Sequence, residues 1–407
     1  MSYTYTDKVK FDYTNNFDAF GRLRVSEPFT LFDSSHRYRD NGLWATATAS
    51  GGTTTFDANG GIIEMSVDTA SGSSVSRETY KVFSYQPGKS LLSLNTFVMS
   101  AGKIGLTQRV GYYGASNGVF LQLEDSTLSL VERSSVTGSL IDTEIDQSLW
   151  NVDPMDGTGP SGIALSITKT QILFMDFEWL GVGSVRCGFV IDGQFHTCHI
   201  FHHANFITST YITTASLPIR YEIFNTISTD SSSTLKQICS SVISEGGYQL
   251  RGSQQAVGTP ITTPKTLTTA GTYYPVVSIR LKNTNIDAIV ILTALSIMGV
   301  AIGVYNWQVM SGSTTTGGAW VSAGTSSSVE YNLTGTGTSG GRILASGFLT
   351  SSSQSSGVID ILKEALFSFQ LERNTFTSTT FEISLVVTAS TNSELIYGSM
   401  DWEEISR

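Results

Sequence analysis

Charged residues are scarce in this chain, and cysteine and proline are few. Asp, Glu, Lys and Arg make up 14% of the 407 residues, well below the roughly 25% of a typical soluble domain. The net charge of −10 disfavours a general nucleic-acid binder, which needs a basic surface to replace the counterions of phosphate. The three cysteines do not make a disulfide framework. We therefore expect a chain that folds in a reducing cytoplasm and has no nucleic-acid partner.

Long apolar segments are also lacking. The N-terminal residues MSYTYTDKVKFDY have no apolar core, so no signal peptide is predicted. The uncharged run 288–305 only reaches the lower length limit of a transmembrane helix. Its β-branched residues and its strand-rich surroundings favour two buried strands joined near Met298 and Gly299. We therefore expect no membrane partner.

The pattern that is present is alternation of apolar and polar residues with a period of two. It is clearest at 173–179, 367–371 and 381–387, and it is typical of strands with one buried and one solvated face. Turn signals such as Asn-Gly at 117–118 and Asp-Gly at 192–193 separate the strands. The sequence therefore predicts an all-β fold.

Composition and pattern divide the chain into four parts. They are an irregular N-terminal anchor segment (1–40), a first β-sandwich of jelly-roll type (41–250), a linker rich in Pro, Gly and Thr (251–275), and a C-terminal β-sandwich (276–407). A single short helix is predicted at 358–366. No repeat of fixed period relates the two sandwiches, which disfavours a propeller or solenoid.

The anchor segment 1–40 is rich in aromatic residues. It holds nine, about twice the density of the whole chain. Ordering such a segment must be offset by burial of apolar surface, yet the segment lacks the period of a self-contained element. We predict that it docks on another protein or a neighbouring subunit through Phe17, Phe20, Arg22, Arg24, Phe29 and Phe32. The alternative is a clasp that packs on the first sandwich.

Asp176 and Glu178 are the strongest indication of catalysis. They lie two residues apart on a predicted strand, so both side chains point to one face. Jelly-roll glycosidases use paired carboxylates in this way, one as nucleophile and one as acid. Apolar residues share the face, however, and the residues 180–182 supply no third carboxylate. We therefore predict no catalytic residues and no enzymatic activity.

A short tract, FHTCHIFHHAN, concentrates soft metal ligands around Cys198. With 192–193 as a two-residue turn, facing positions sum to 385, so Cys187 faces Cys198, while His196 and His199 lie on opposite faces. No three ligands converge, and we predict no metal and no cofactor. The two facing thiols could form only a strained disulfide, so free thiols are expected. The histidines of the tract are His196, His199, His202 and His203.

The loop 153–162 combines two carboxylates with several glycines. Calcium binds loops of this composition, but the spacing fits no standard calcium loop, and Asp and Gly are ordinary turn residues. The phosphate-binding motif GxxxxGK[ST] is absent. GASNG at 114–118 matches the nucleophile motif GxSxG in its letters, but it contains the Asn-Gly turn signal between two predicted strands, whereas that motif belongs to a strand-to-helix turn. Neither a metal site nor a serine nucleophile is therefore predicted.

Several segments resemble a group of virion structural proteins from tailed bacteriophages, especially marine and cyanobacterial ones. The first is DAFGRLRVSEPFTLFDS at 18–34, and the likeness continues through SYQPGKSLLSLNTFV, RVGYYGASNGVF, WNVDPMDGTGPSG, FEWLGVGSVRCGFVIDG, LPIRYEI and ICSSVISEGGY. The C-terminal SVEYNLT, FSFQLER and SMDWEE resemble a second module of the same proteins. The first module also resembles a concanavalin-type jelly roll. The likeness spans most of the chain and brings no catalytic motif with it.

The resemblance implies a structural component of a tailed-phage virion that acts through protein–protein contacts. A tail-associated place, in a baseplate or fibre, is favoured over a head or capsid-decoration role. The expected partners are other virion proteins and further copies of the chain, because phage surface proteins follow the symmetry of the particle. The alternative is a carbohydrate-binding protein that recognises a host surface glycan, with a depolymerase less favoured.

Overall fold

The computed structural model of the protein describes residues 26–249, 251–351, 357–360 and 369–406. Nearly all regular structure in these residues is β-strand, which confirms the predicted fold class. The helical elements among them are two 3-10 turns, Gln147–Leu149 and Asn283–Asn285. The strands form two antiparallel sandwiches in series.

Two sheets face each other in the first sandwich. Its strands are β1 (Phe29–Ser35), β2 (Trp44–Ala49), β3 (Thr53–Asp57), β4 (Ile62–Val67), β5 (Ser74–Thr79), β6 (Leu91–Val98), β7 (Leu106–Tyr113), β8 (Gly118–Glu124), β9 (Thr127–Ser134), β10 (Ile141–Asp146), β11 (Gln171–Phe177), β12 (Val185–Ile191), β13 (Gln194–Phe201), β14 (Ile219–Asn225) and β15 (Ser233–Ser244). Within the described residues one sheet runs β13-β12-β11-β6-β15-β4-β3, with β1 also paired to β15. The other runs β10-β9-β8-β7-β14-β5-β2.

Alternation along the strands builds the core between these sheets. Met175 and Phe177 of β11 are fully buried, as the period-two pattern predicts. Val110 and Tyr221 of the opposite sheet belong to the same cluster. Burial of each such side chain stabilises the fold by roughly 1.5–3 kcal/mol. The other face of β11 is consequently free to carry polar groups.

The second sandwich has its own core. Its strands are β16 (Ser253–Gly258), β17 (Lys265–Leu267), β18 (Tyr274–Leu281), β19 (Ile289–Gly299), β20 (Gly303–Thr316), β21 (Val321–Ser322), β22 (Val329–Asn332), β23 (Gly337–Ser351), β24 (Gly357–Asp360), β25 (Arg373–Asn374), β26 (Thr379–Thr380), β27 (Glu382–Ala389) and β28 (Glu394–Ser406). Within the described residues one sheet runs β16-β28-β19-β24, with β17 also on β28, and the other β21-β22-β18-β27-β20-β23; β25 and β26 form a separate ribbon. Trp402 and Tyr305 are fully buried between the two larger sheets.

The strand pairing moves two boundaries of the sequence-based division. β1 lies inside the predicted anchor 1–40 but pairs with β15 of the first sandwich. β16 and β17 lie inside the predicted linker 251–275 but pair with β28 of the second sandwich. The residues of β16 are mostly polar or small, so no hydrophobic period marks them. β16 and β17 are strands because both pair with the edge of the long strand β28.

The predicted helix at 358–366 is contradicted where the structure describes it. Gly357–Asp360 is the strand β24, and it pairs with residues 294–297 of β19. Residues 361–366 lie outside the described part of the chain. A short apolar run is compatible with either element, and here an open edge of β19 selects the strand.

The apolar run 288–305 forms two strands, as predicted. β19 ends at Gly299 and β20 begins at Gly303. Alternate residues of β19 serve different cores: Val290 faces the interior of the second sandwich, whereas Ile291 packs against Val82 of the first. This double burial explains the unbroken apolar sequence. In the described part of the chain, no helix is both long enough and apolar enough to cross a membrane.

A buried ionic joint connects the two sandwiches. Arg373, whose side chain is 3% exposed, donates from Nη2 to Oε1 of Glu78 at 2.6 Å. Its Nη1 donates to the carbonyl of Thr79 at 2.6 Å, and its Nε donates to Asp287 at 3.0 Å. Glu78 is itself 1% exposed. Charges withdrawn from water are stable only when paired in this way, so the joint ties the two sandwiches together.

Candidate functional site

A cleft of about 470 Å³ opens at the end of β11 in the first sandwich. Its volume falls within the roughly 300–1,000 Å³ of small-molecule sites. The polar side chains that line it include those of Tyr85, Lys89, Ser90, Asp176, Glu178 and Arg186. The spacing of Asp176 and Glu178 predicts that they share one face of a strand; the structure places both in one cleft, although the apolar residues on that face favour partial cover by a neighbour.

Asp176 is held by two neighbouring strands. β11 places it opposite Leu92 of β6 and Arg186 of β12. Because Met175 and Phe177 point into the core, the Asp176 side chain points out of it. Its Oδ2 accepts a hydrogen bond from Nη2 of Arg186, and its Oδ1 accepts one from Ser90 at 2.7 Å. The carboxylate is thus one half of an ion pair.

Glu178 follows the strand and is exposed. Its Oε2 accepts hydrogen bonds from the amide and the hydroxyl of Ser184, at 3.3 and 3.2 Å. A general acid of a glycosidase needs an apolar environment that keeps it protonated at neutral pH. Asp176 instead lies against a guanidinium group and Glu178 against solvent. In the structure the two carboxylates make hydrogen bonds and, at Asp176, an ion pair.

A third carboxylate lies beside the cleft, and sequence reasoning missed it. The hydroxyl of Ser90 also contacts Oε2 of Glu245, at 2.5 Å. The backbones meet because β6 and β15 are neighbours, and the amide of Glu245 donates to the carbonyl of Ser90 at 2.9 Å. Glu245 follows a strand far from Asp176 in sequence. No local spacing could reveal this contact.

The hairpin of β12 and β13 departs from its predicted register near the cysteines. Residues 192–193 form the predicted turn, with φ of 51° and 76°, and facing positions sum to 385 as far as Gly188. A β-bulge then shifts the register, so Cys187 faces His199 rather than Cys198. One extra residue in a strand displaces every later pair, which hairpin arithmetic does not include. Both thiols are buried and free.

The histidines of this hairpin have separate environments. The ring nitrogens of His203 contact Oε2 of Glu132 at 2.7 Å and the carbonyl of Gly183 at 2.6 Å. Burial alone would lower the pKa of His203, but the hydrogen bond and charge of Glu132 outweigh it and raise that pKa, which favours the protonated ring. Burial lowers the pKa of His199 to about 4, which keeps that ring neutral as it accepts from the amide of Asn151. Among the described residues no three His, Cys, Asp or Glu side chains could share a metal ion.

The carboxylates of the loop 153–162 accept hydrogen bonds from backbone amides of the same loop. Asp153 accepts from the amides of Met155 at 2.8 Å and Ser161 at 2.9 Å. Asp156 accepts from the amide of Thr158 at 2.8 Å. These are the bonds that Asp makes in ordinary turns, which is the interpretation that the sequence favoured over calcium.

The predicted docking residues that the structure describes pack on their own chain. Phe32 is 7% exposed, and its ring centre lies 4.9 Å from that of Phe83 and 6.0 Å from that of Trp44. The ring of Phe29 lies 5.8 Å from that of Tyr248. At these two positions the segment is a clasp, the alternative to an anchor. The other predicted docking residues lie outside the described part of the chain: Phe17, Phe20, Arg22 and Arg24.

Comparisons with known proteins find likeness of structure alone. No family model matches the chain, and no curated protein matches it. A protein of unknown function from Shewanella oneidensis MR-1 is similar over 56% of this chain and 91% of its own, at 11% identity and a TM-score of 0.36. A Bacillus licheniformis β-glucanase covers 52% of this chain and 96% of its own, at 10% identity and a TM-score of 0.35. Arcelin-5, a lectin-like defence protein from Phaseolus vulgaris, covers 54% and 99%, at 8% identity and a TM-score of 0.33.

Proposed function

We propose that the protein is a non-catalytic structural component of a tailed-phage particle, associated with the tail. It acts through contacts with other virion proteins and with further copies of itself. The resemblance of 18–34 and of the later segments to phage virion proteins supports this proposal. The part of that motif at 29–34 is the strand β1, which completes the sheet that β15 organises.

The observation that carries the proposal is the ionic joint. Arg373 and Glu78 are 295 residues apart, and both are almost fully buried between the sandwiches. Breaking a buried pair that has no other counter-ion costs about 3–5 kcal/mol, and at Glu78 the nearby Arg220 lowers that figure. A joint of this kind resists bending, which suits a particle component that is exposed to mechanical force.

The test is the position of the protein in purified particles. We expect density for two sandwiches in series in the tail, in several symmetry-related copies, in a cryo-electron microscopy map. Density on the capsid surface would overturn the tail assignment. Absence of the protein from particles that retain infectivity would overturn the structural role as a whole.

A second candidate function is recognition of a host surface glycan, and the cleft at Asp176 favours it. The cleft offers carboxylate acceptors and the Arg186 donor, which are suited to sugar hydroxyl groups. On a glycan array, we expect Arg186→Met to abolish any binding of the wild-type chain. The matched control is Lys236→Met, which breaks the 2.9 Å pair with Glu64 on the same sheet. Equal binding by both variants, or no binding by the wild type, would count against this function.

A further inference from the structure

The turn 178–184 joins β11 to β12 and forms one wall of the cleft. Its residues Leu180 and Ser184 are among those that line the cleft. Two of its carbonyl groups, those of Gly181 and Gly183, contact the segment that follows β13. The position of this wall therefore depends on that segment.

His203 and Tyr211 hold the wall from the segment after β13. The amide of Tyr211 donates to the carbonyl of Gly181 at 3.1 Å, and Nδ1 of His203 lies 2.6 Å from the carbonyl oxygen of Gly183. The rings of His203 and Tyr211 are stacked, with their centres 3.8 Å apart. Both residues are 5% exposed, so little water can compete for these contacts.

The second ring nitrogen of His203 reaches the opposite sheet. Nε2 lies 2.7 Å from Oε2 of Glu132 on β9, and the side chain of Glu132 is 13% exposed. A carbonyl oxygen and an ionised carboxylate only accept hydrogen bonds, so the ring satisfies both only while both of its nitrogens carry a proton. A neutral ring has a single N–H, and one of the two contacts then loses its hydrogen bond.

We infer that His203 is a proton-operated latch, which fastens the turn 178–184 to Glu132 while both ring nitrogens are protonated and releases the turn when one proton leaves. The charged carboxylate is the stronger acceptor, so the remaining proton stays on Nε2. The bare Nδ1 then faces the lone pairs of the Gly183 carbonyl, and this contact becomes repulsive. The inference goes beyond the proposed function, because it requires neither a virion partner nor a bound sugar.

Glu132 sets the pH at which the latch releases the turn. Burial would lower the pKa of His203, but the hydrogen bond and charge of Glu132 raise it above the ordinary value of 6.5. The wall is therefore held at low pH and is loosened as pH rises through the raised pKa. His199 and His202 make separate contacts, with the amide of Asn151 and with the ring of Phe206. Burial raises the pKa of the other ionisable groups packed around the pair, so these groups stay neutral near pH 7: Tyr85, Tyr112, Cys187 and Tyr211.

Hydrogen–deuterium exchange of the full-length chain tests the latch. We expect protection of the peptide 178–184 and of the Tyr211 amide to fall about fivefold between about pH 6 and pH 9, because one hydrogen bond of the wall is lost. The comparison is made after correction for the pH dependence of intrinsic exchange. Wild-type protection that does not change over this range would overturn the inference without any variant.

Two variants distinguish a latch from a contact that is merely structural. Glu132→Gln removes the charge that holds the proton, so the midpoint of the change should move down by about one pH unit or more. His203→Gln should abolish the pH dependence, since an amide does not titrate in this range. The control is His199→Gln, which should keep the wild-type midpoint, because the His199 ring accepts from the amide of Asn151 instead. A midpoint that Glu132→Gln leaves in place, or a pH dependence that survives His203→Gln, would overturn the latch.

Discussion

Arg373→Met is the perturbation that tests how the two sandwiches are joined. The variant keeps most of the apolar stem and removes the charge and five N–H donors. Glu78 is then left 1% exposed, with Arg220 as its remaining cation at 3.4 Å. The predicted consequence is a loss of stability whose size depends on pH.

The size of the loss follows from the chemistry of Glu78. Burial raises the pKa of this carboxyl above its ordinary value of 4.5. When Glu78 loses its counter-ion, it can therefore become neutral by binding a proton. Neutralising a carboxyl of ordinary pKa at pH 7 costs about 3 kcal/mol, and at pH 5 below about 1 kcal/mol. The contact with Arg220 lowers the figure further. We expect Arg373→Met to lose about 2–3 kcal/mol at pH 7 and about 1 kcal/mol at pH 5.

The assay is urea unfolding of both chains at several pH values. In the variant the folded state binds a proton that the unfolded state releases, so its stability must fall relative to wild type as pH rises. Arg373→Met combined with Glu78→Gln should be more stable at pH 7 than Arg373→Met alone. The partly exposed pair Lys236–Glu64 provides the control, where Lys236→Met should cost at most about 1 kcal/mol. A loss at Arg373 that is small, or that does not change with pH, would refute the reasoning.

Three further predictions concern the first sandwich. Burial alone would lower the pKa of His203, but the hydrogen bond and charge of Glu132 outweigh it and raise the pKa. The stability this pair contributes is therefore complete below the ordinary pKa of 6.5 and is lost as pH rises through the raised value. His203→Gln should flatten that part of the stability profile, and an unchanged profile would contradict the assignment. Gly193→Ala should cost about 1–2 kcal/mol in thermal unfolding, because φ of 76° strains any residue with a Cβ; an unchanged melting temperature would count against it. No hydrolysis of host polysaccharide is expected, and reducing-sugar release that Glu178→Gln abolishes would show that Asp176 and Glu178 are catalytic.

Much of the fold follows from local pattern. Period-two alternation predicts the buried residues of β11, and the Asp-Gly pair at 192–193 predicts the hairpin turn. The apolar run 288–305 is correctly predicted as two strands. These features depend on the direction in which successive side chains point and on the φ values that each residue tolerates. Both are properties of neighbours in sequence, so one sequence is enough to reveal them.

The sequence predicted only some of the residues of the candidate site. Asp176 and Glu178 show themselves by their spacing on one strand. Ser90 and Glu245 come from other strands, and their place beside Asp176 depends on β6 lying between β11 and β15. Arg186 was part of the predicted hairpin, but its pairing with Asp176 depends on the register between β11 and β12.

The sequence by itself determined the all-β fold class, the buried face of β11, the Asp-Gly turn at 192–193 and the two strands of the apolar run 288–305. The tertiary structure alone decided the bulge that separates Cys187 from Cys198, the strand at 357–360, and the meeting of Arg373 with Glu78. Each of these depends on an edge or a face supplied by a distant part of the chain. Such partners satisfy buried polar and charged groups, which would cost several kcal/mol if they were left unpaired. That is enough to override the weak local preferences from which a sequence is interpreted.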